Sequence, residues 1–165
     1  VFIGHCRLAI IDTSQRASQP MSRDRFTIAH NGEIYNFVEL REALEKKGVT
    51  FTTDSDTEVL VNAWRNEGAK CLQELDGMFA FGVWDTNNES IFLVRDFAGI
   101  KPLYYGWNGQ SLVFASQYDQ ISRHEAFHNE PIDEEVLKLY LTQHFIPAPF
   151  GIIKKTNSNI HIILN

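Results

Sequence analysis

Apolar side chains recur at helical spacing in three parts of the chain, and each recurrence predicts a helix. The first predicted helix follows Asn36, a suitable N-cap, and its apolar stripe consists of Phe37, Leu40 and Leu44. Gly48 comes where a glycine commonly follows a helix end. The second predicted helix follows Ser55, which makes a capping box with Glu58.

The apolar stripe of the second helix comprises Val59, Leu60, Ala63 and Trp64, and the helix ends near Gly68. A short helix is predicted over 71–75. The third predicted helix is capped by Asp133 and stopped by prolines at 147 and 149. Its stripe comprises Val136, Leu137, Tyr140 and Leu141.

Short apolar or alternating runs predict strands at 1–12, 26–30, 49–53, 78–85, 90–95, 103–107 and 111–115. The first run is apolar except for His5 and Arg7, which predicts a buried strand. Asn31-Gly32 predicts a turn at the end of the second, and Asn87-Asn88 and Asn108-Gly109 predict hairpin turns. Antiparallel sheets with helices outside them, an α+β domain, are therefore expected.

Composition adds limits to this picture. A chain of 165 residues with 44% hydrophobic residues predicts one cored domain. Its net charge of −6, without a basic stripe, argues against nucleic acid or an anionic membrane as partner. No apolar run approaches the ~20 residues that span a bilayer, and the first residues do not resemble a signal peptide.

Cysteine and histidine usage gives two further expectations. Cys6 and Cys71 are scattered, which favours reduced thiols and a cytoplasmic protein. Of the six histidines only His124 and His128 share helical spacing, and a solvated helix face explains that pair better than zinc. No metal site is therefore predicted.

Arg7 is the first candidate functional residue, because a guanidinium in an apolar strand is costly to bury unless it is paired. It is well shaped to hold a carboxylate through two parallel hydrogen bonds. The simpler interpretation is that Arg7 reaches solvent at a sheet edge or pairs with a local acid such as Asp12.

Asn31-Gly32-Glu33 is the second candidate. A side-chain amide beside a glycine N–H can direct two donors at one oxyanion. The alternative is an ordinary turn.

Asp56 is the third candidate: in the first turn of a helix it either stabilises the helix or receives an ammonium group. Arg7 and Asp56 together could bind the carboxylate and the ammonium group of an amino acid.

Loops that bind phosphates are missing from the sequence: it contains no Walker loop, no Rossmann glycine triad and no pyrophosphate loop. We therefore expect no ATP chemistry within this chain.

Several ordered blocks of the sequence carry a resemblance to a known family: 4–12, 19–21, 31–36, 55–58, 77–81, 95–96, Gly99, 101–105 and 114–116. Taken together in this order, they resemble the glutaminase domain, a class II glutamine amidotransferase, of glutamine-hydrolysing asparagine synthetases. The resemblance covers about 1–150, and residues 151–165 are expected to be a diverged or partly ordered tail.

The resemblance implies a four-layer αββα N-terminal-nucleophile hydrolase fold that lacks its first strands. It implies that Arg7 binds the α-carboxylate of glutamine, that Asp56 receives its α-ammonium group, and that Asn31 and Gly32 form the oxyanion hole beside Glu33. Main-chain contacts to the substrate are implied for Leu8, Ala9, Ile10 and Ile11.

The family's nucleophile is a cysteine at the start of the mature chain, whereas this sequence begins at Val1. Cys6 stands where the family usually has Arg or Thr, and Gln117 where it often has Glu. We therefore expect no glutaminase activity from this chain alone.

The first hypothesis is the glutaminase domain of an asparagine synthetase, which hydrolyses glutamine to glutamate and ammonia for the amidation of aspartate. No cofactor is expected in this domain, since ATP and Mg belong to the family's separate synthetase domain or subunit. The alternative is a glutamine-binding or structural module without a nucleophile. An open sheet edge also predicts pairing of two copies into a homodimer.

Overall fold

The computed structural model describes residues 1–128, 134–144 and 160–164, which form two compact units. One unit contains residues 1–102 and 160–164, and the other contains 103–128 and 134–144. In chain order the elements are β1 (Met21–Arg23), β2 (Phe26–Ile34), α1 (Phe37–Lys46), α2 (Asp56–Glu67), β3 (Gly77–Asp85), β4 (Ser90–Arg95), β5 (Tyr104–Trp107), β6 (Leu112–Ala115), α3 (Tyr118–Ser122), α4 (Glu134–Gln143) and β7 (Ile160–Leu164). Short 3₁₀ helices occupy Gln15–Ala17 and Gly68–Glu74.

The first unit is built on a five-stranded sheet in the order β1-β2-β3-β4-β7. The first four strands are antiparallel neighbours, and β7 pairs parallel to β4. Because β1 reaches only to Ile28 of β2, the outer edge of β2 beyond that residue has no strand partner in the described residues. This edge carries the site described below.

Helix α2 supplies much of the core of this unit. Its residues 56–64 are all buried, and Trp64 meets Phe81 of β3 and Phe92 of β4 edge-on, with ring centroids 5.9 and 5.2 Å apart. Edge-to-face pairs of this kind add to the stabilisation from burial alone. The start of α2 is therefore firmly placed against the sheet.

The second unit contains the β5–β6 hairpin with α3 and α4. Its turn is closed by Asn108 Oδ1, which accepts bonds from the N–H groups of Gln110 and Ser111, so the predicted turn is confirmed. Helix α4 is also confirmed, and Val136 is its buried residue. The predicted cap Asp133, the prolines at 147 and 149 and most of the predicted tail lie outside the described residues.

Both predicted helices of the first unit are confirmed, with two differences in capping. Asn36 precedes α1 as predicted, but its side chain makes no capping bond and instead bonds to the backbone of Glu74 and Asp76. Gly48 follows α1 at φ 86°, as a glycine after a helix end requires. Ser55 Oγ accepts a bond from Glu58 N at 3.2 Å, which is one half of the capping box. The Glu58 carboxylate does not return to Ser55 but accepts bonds from Thr52 and Thr53.

The predicted strand over 49–53 is wrong because the Glu58 carboxylate accepts the backbone bonds of this segment. The N–H groups of Thr52 and Thr53 donate to Glu58, at 2.9 and 2.6 Å, and not to a neighbouring strand. A buried carboxylate has thus taken the backbone donors that a sheet would need.

The predicted buried strand over 1–12 is also wrong. The segment forms no strand, and Phe2 and Leu8 are 92% and 83% exposed. Side chains of Gln19 and Asp56 occupy the N–H groups of His30 and Ile34 along the open edge of β2, so this edge is not free to pair with it.

The predicted turn at Asn31-Gly32 is a third error, because both residues lie inside β2, opposite Ala80 and Phe79. Gly32 has φ 143°, and a Cβ there would lie 2.1 Å from the carbonyl oxygen of Met78. A glycine is therefore required by the close approach of two strands rather than by a turn.

Candidate functional site

The open edge of β2 borders a cavity of about 150 Å³ within the first unit. Every predicted site residue except Ala9 lines it: Arg7, Leu8, Ile10, Ile11, Asn31, Gly32, Glu33 and Asp56. Pockets for drug-sized ligands usually measure roughly 300–1,000 Å³, so this cavity suits a ligand of amino-acid size. The three candidates from the sequence, Arg7, Asn31-Gly32-Glu33 and Asp56, thus all line the same cavity, although each was ambiguous by itself.

Six further lining residues were not predicted as site residues: His5, Cys6, Gln19, His30, Thr57 and Lys101. Their signals in the sequence were indirect. Gln19, Thr57 and Lys101 lie in blocks that carried the family resemblance, but no role was attached to them. His30 shares the apolar face of β2 with Phe26 and Ile28, and a polar residue on a core face is itself a signal.

The backbone of β2 directs amide groups into the cavity. His30 N donates to Gln19 Oε1 at 2.6 Å, and Ile34 N donates to Asp56 Oδ2 at 3.1 Å. Backbone donors alternate in direction along an antiparallel strand, so Gly32 N–H, midway between them, points to the same side. Gly32 also lines the cavity, which makes its N–H a donor for a bound ligand.

Asp56 lies in the first turn of α2 and is 7% exposed. Besides Ile34 N, its carboxylate accepts a bond from Thr57 Oγ1 at 3.4 Å. The basic side chain nearest to it, across the described part of the chain, is His30, whose Nδ1 lies 4.0 Å from Oδ2. A carboxylate has about four lone-pair positions, so Asp56 retains capacity for another donor.

His30 is buried at 2% exposure. Burial lowers the pKa of His30 to about 4, while Asp56 acts in the opposite direction and His5 and Lys101 lower it further. The imidazole is therefore neutral at pH 7 and does not compensate the charge of Asp56.

Arg7 contributes to the cavity wall from the N-terminal segment, and its guanidinium donates to the backbone carbonyl of Asp12. The Asp12 carboxylate accepts bonds from Asp54 N at 2.9 Å and from Ser14 N at 2.8 Å. These bonds lower the pKa of Asp12 to about 2. They also tie the segment carrying Arg7 to the residues just before α2.

Lys101 reaches the cavity from a loop that Arg95 and Asp96 hold in place. Arg95 donates to the carbonyls of Lys101 and Gly99, at 2.8 and 2.6 Å. Burial alone would raise the pKa of Asp96, but backbone N–H groups, those of Ile100 and Lys101 first, lower it below its ordinary value. The block from 95 to 101 therefore positions a cation at the cavity.

Two negative findings concern metals and membranes. Within residues 1–128 and 134–144, no group of three or more His, Cys, Asp or Glu side chains could hold a metal ion. His124 and His128 lie in turns and not on a helix, and each ring bonds to nearby backbone. None of the described helices is long and apolar enough to cross a membrane.

The two thiols differ in environment. Burial raises the pKa of Cys71 to about 12, which fits a packing role. Cys6 is exposed and lies on the cavity wall.

The first unit thus places an acid, a guanidinium and inward-directed backbone amides around one small cavity. The chain matches the family described as a glutamine amidotransferase domain over residues 1–161, and it belongs to that family. The tail predicted from residue 151 is therefore partly inside the family match.

Curated relatives agree with this family. The chain is 44% identical over 151 residues to asparagine synthetase (glutamine-hydrolyzing) 1 of Bacillus subtilis strain 168, covering 90% of this chain and 23% of the relative. It is 36% identical over 171 residues to putative asparagine synthetase (glutamine-hydrolyzing) 2 of Methanocaldococcus jannaschii, covering 93% and 33%. The chain thus spans about a quarter to a third of these relatives.

Among solved structures, the chain resembles glutamine phosphoribosylpyrophosphate amidotransferase from B. subtilis, complexed with ADP and GMP. The TM-score is 0.57 at 31% identity, over 68% of this chain and 26% of that one. The predicted class, an α+β N-terminal-nucleophile hydrolase fold with antiparallel sheets, is confirmed. The predicted residue roles, cytoplasmic location and pairing of two copies stay predictions.

Proposed function

We propose that the cavity binds L-glutamine and that the chain is a glutamine-recognising domain serving glutamine hydrolysis to glutamate and ammonia. The observation that carries this proposal is the meeting of Arg7, Asp56 and the Asn31-Gly32 edge around one cavity of about 150 Å³. Membership of the glutamine amidotransferase family supports it.

The α-ammonium group of glutamine would bind to Asp56. This acid is buried, has one backbone and one hydroxyl donor, and has a neutral imidazole as its nearest basic neighbour in the described residues. A buried carboxylate without a cation is unfavourable, so a ligand ammonium would stabilise it.

The α-carboxylate would bind to Arg7. Its guanidinium uses the Asp12 carbonyl as an anchor, and a guanidinium has five N–H donors, which leaves donors for a carboxylate. Leu8, Ile10 and Ile11 would close the cavity around the ligand.

The side-chain amide carbonyl of glutamine would lie against Gly32 N–H and the Asn31 side chain, with Glu33 beside them. Each donor aimed at a developing oxyanion is typically worth roughly 3 kcal/mol in the transition state. Such donors serve acyl transfer, the chemistry by which an amide loses ammonia.

In the longer relatives, whose names describe glutamine-hydrolyzing asparagine synthetases, ammonia would pass to a synthetase domain or subunit. That part would use ATP and Mg²⁺ to amidate aspartate, and the domain described here would need no cofactor. For this chain the synthetase partner and the aspartate acceptor are likewise proposals.

Calorimetry with three ligands tests glutamine binding. L-Glutamine carries both charges, glutaramate lacks the α-ammonium group, and γ-aminobutyramide lacks the α-carboxylate. Glutamine should bind most tightly. Asp56→Asn should weaken glutamine but not glutaramate, and Arg7→Lys should weaken glutamine but not γ-aminobutyramide.

Asp54→Asn and Arg16→Lys are matched controls, since both side chains are exposed and lie outside the cavity lining. They should leave all three affinities unchanged. Absence of heat with L-glutamine, or equal losses for every ligand, would overturn the proposal.

A further inference from the structure

Thr57 connects Asp56 to the half-buried Gln19 and the buried His30. Its Oγ1 lies 3.4 Å from Asp56 Oδ1, 3.2 Å from Gln19 Nε2 and 3.3 Å from His30 Nδ1. Thr57 itself is 3% exposed. A hydroxyl has one proton to donate and two lone pairs to accept with, so three partners are its full capacity.

The direction of each bond follows from the chemistry of the partners. Gln19 Oε1 accepts from His30 N, which makes Nε2 the amide nitrogen and hence a donor to Thr57. The Asp56 carboxylate accepts, so the single hydroxyl proton goes to it. His30 Nδ1 must then carry a proton and donate to Thr57.

His30 is therefore held as the neutral tautomer protonated at Nδ1. Its Nε2 is buried and has no hydrogen-bond partner among the described residues, so no acceptor there would stabilise a second proton on the ring. A charged imidazole 4.0 Å from Asp56 would neutralise the acid. The neutral ring supports the hydroxyl and leaves the negative charge of Asp56 to the ligand.

We propose that Thr57, held by Gln19 and His30, is a positioning residue that fixes the Asp56 carboxylate toward a ligand ammonium group. Ile34 N anchors one carboxylate oxygen and Thr57 Oγ1 anchors the other, so the plane of the carboxylate is set. The inference rests on the proposed glutamine site, because it names what makes that site selective for an α-amine.

Thr57→Val tests the role because valine retains the shape and removes the hydroxyl. Glutamine should bind roughly tenfold more weakly, as expected for one hydrogen bond to a charged group, whereas glutaramate should change less than about twofold. Thr57→Ser restores the hydroxyl and should recover most of the glutamine affinity. Thr50→Val, on an exposed threonine outside the cavity lining, is the matched control.

Gln19→Leu is a second variant should Thr57→Val fail to fold. It should likewise weaken glutamine binding more than glutaramate binding. Equal weakening of glutamine and glutaramate, or no change in either, would overturn the positioning role while glutamine binding by the unaltered chain still stood. Failure of the unaltered chain to bind glutamine would refute the proposed function instead.

The geometry also has a test that needs no ligand. Nitrogen-15 NMR of the histidine rings should show His30 as the neutral tautomer with the proton on Nδ1, and Thr57→Val should change its signals. A ring protonated at Nε2 in the unaltered chain would refute the hydrogen-bond scheme.

Discussion

Two acids stand two residues apart in the first turn of α2, and their surroundings are opposite. Glu58 is fully buried, and its oxygens accept bonds from the Arg23 guanidinium and from the backbone N–H and hydroxyl groups of Thr52 and Thr53. Asp56 accepts one backbone bond and one hydroxyl bond. The helix dipole favours both carboxylates, so it does not explain the difference.

The difference separates a structural acid from the acid for which ligand binding is proposed. Burial alone would raise the pKa of Glu58, yet Arg23, Thr53 and Thr52 lower it to about 2, the sign of a satisfied acid. Asp56 lacks a charged partner in the described residues and opens onto the cavity. One acid holds the loop before α2 in place, and the other faces the cavity.

Removing the charge of Glu58 should give the largest effect on stability. Glu58→Gln leaves Arg23 without its partner and sets an amide NH₂ against backbone donors, so the free energy of unfolding should fall by about 3–5 kcal/mol. Urea unfolding measures the change. The matched control is Glu67→Gln, at the far end of α2 in a surface pair with Lys47, where less than about 1 kcal/mol is expected. Equal losses would erase the contrast between a buried and a surface acid.

Stability should also depend on pH through Glu58. Its pKa is lowered from 4.5 to about 2 on folding, so its contribution is present above pH 4.5 and is lost as pH falls toward 2. The size is about 3 kcal/mol, from the pKa difference. Urea titrations between these pH values should show the loss, and Glu58→Gln should flatten it. The share due to Asp12, whose pKa is also about 2, remains in both proteins.

Asp56→Asn should show the reverse pattern. The unfolding free energy should change by less than about 1 kcal/mol, because asparagine keeps the shape and an acceptor oxygen. Glutamine affinity should fall by roughly 1.5–3 kcal/mol, the value of a hydrogen bond to a charged group. Calorimetry and urea unfolding on the same sample separate the two quantities. A large stability loss with unchanged affinity would make Asp56 another structural acid.

The smallest effect concerns the neighbouring imidazole. Asp56 raises the pKa of His30, against the larger effect of burial, so Asp56→Asn should move that pKa below its value of about 4. An NMR titration of the ring follows it. A pKa that rises in the variant would contradict the electrostatic account of the site.

Local patterns predicted the helices α1 and α2 and the strands β3 and β4 because each depends on near neighbours. Ser55 caps α2 and Gly48 ends α1 through contacts within a few residues. The same reasoning failed at 1–12 and 49–53. There side chains take the backbone donors that a strand would need, Glu58 those of Thr52 and Thr53 and Asp56 that of Ile34, and the hydrophobic periodicity carries no information about such contacts.

The candidate site was likewise only partly predictable from the sequence. Arg7, Gly32 and Asp56 were singled out from the sequence, yet each had an ordinary explanation by itself. Gln19 and Thr57 were missed as site residues. A glutamine and a threonine acquire their importance here from contacts with His30 and with each other, across 11 to 38 residues of chain.

The sequence by itself determined the helix ends, the alternation of the central strands and the ordered motifs that mark the family, because all of these are written in neighbouring residues. Tertiary structure alone decided that the edge of β2, the start of α2 and the N-terminal segment line one cavity. It also decided that Glu58 accepts bonds from a guanidinium and two threonines, whereas Asp56 accepts one backbone and one hydroxyl bond. That difference depends on which donors lie within about 3 Å of each carboxylate, a distance that only the folded chain sets.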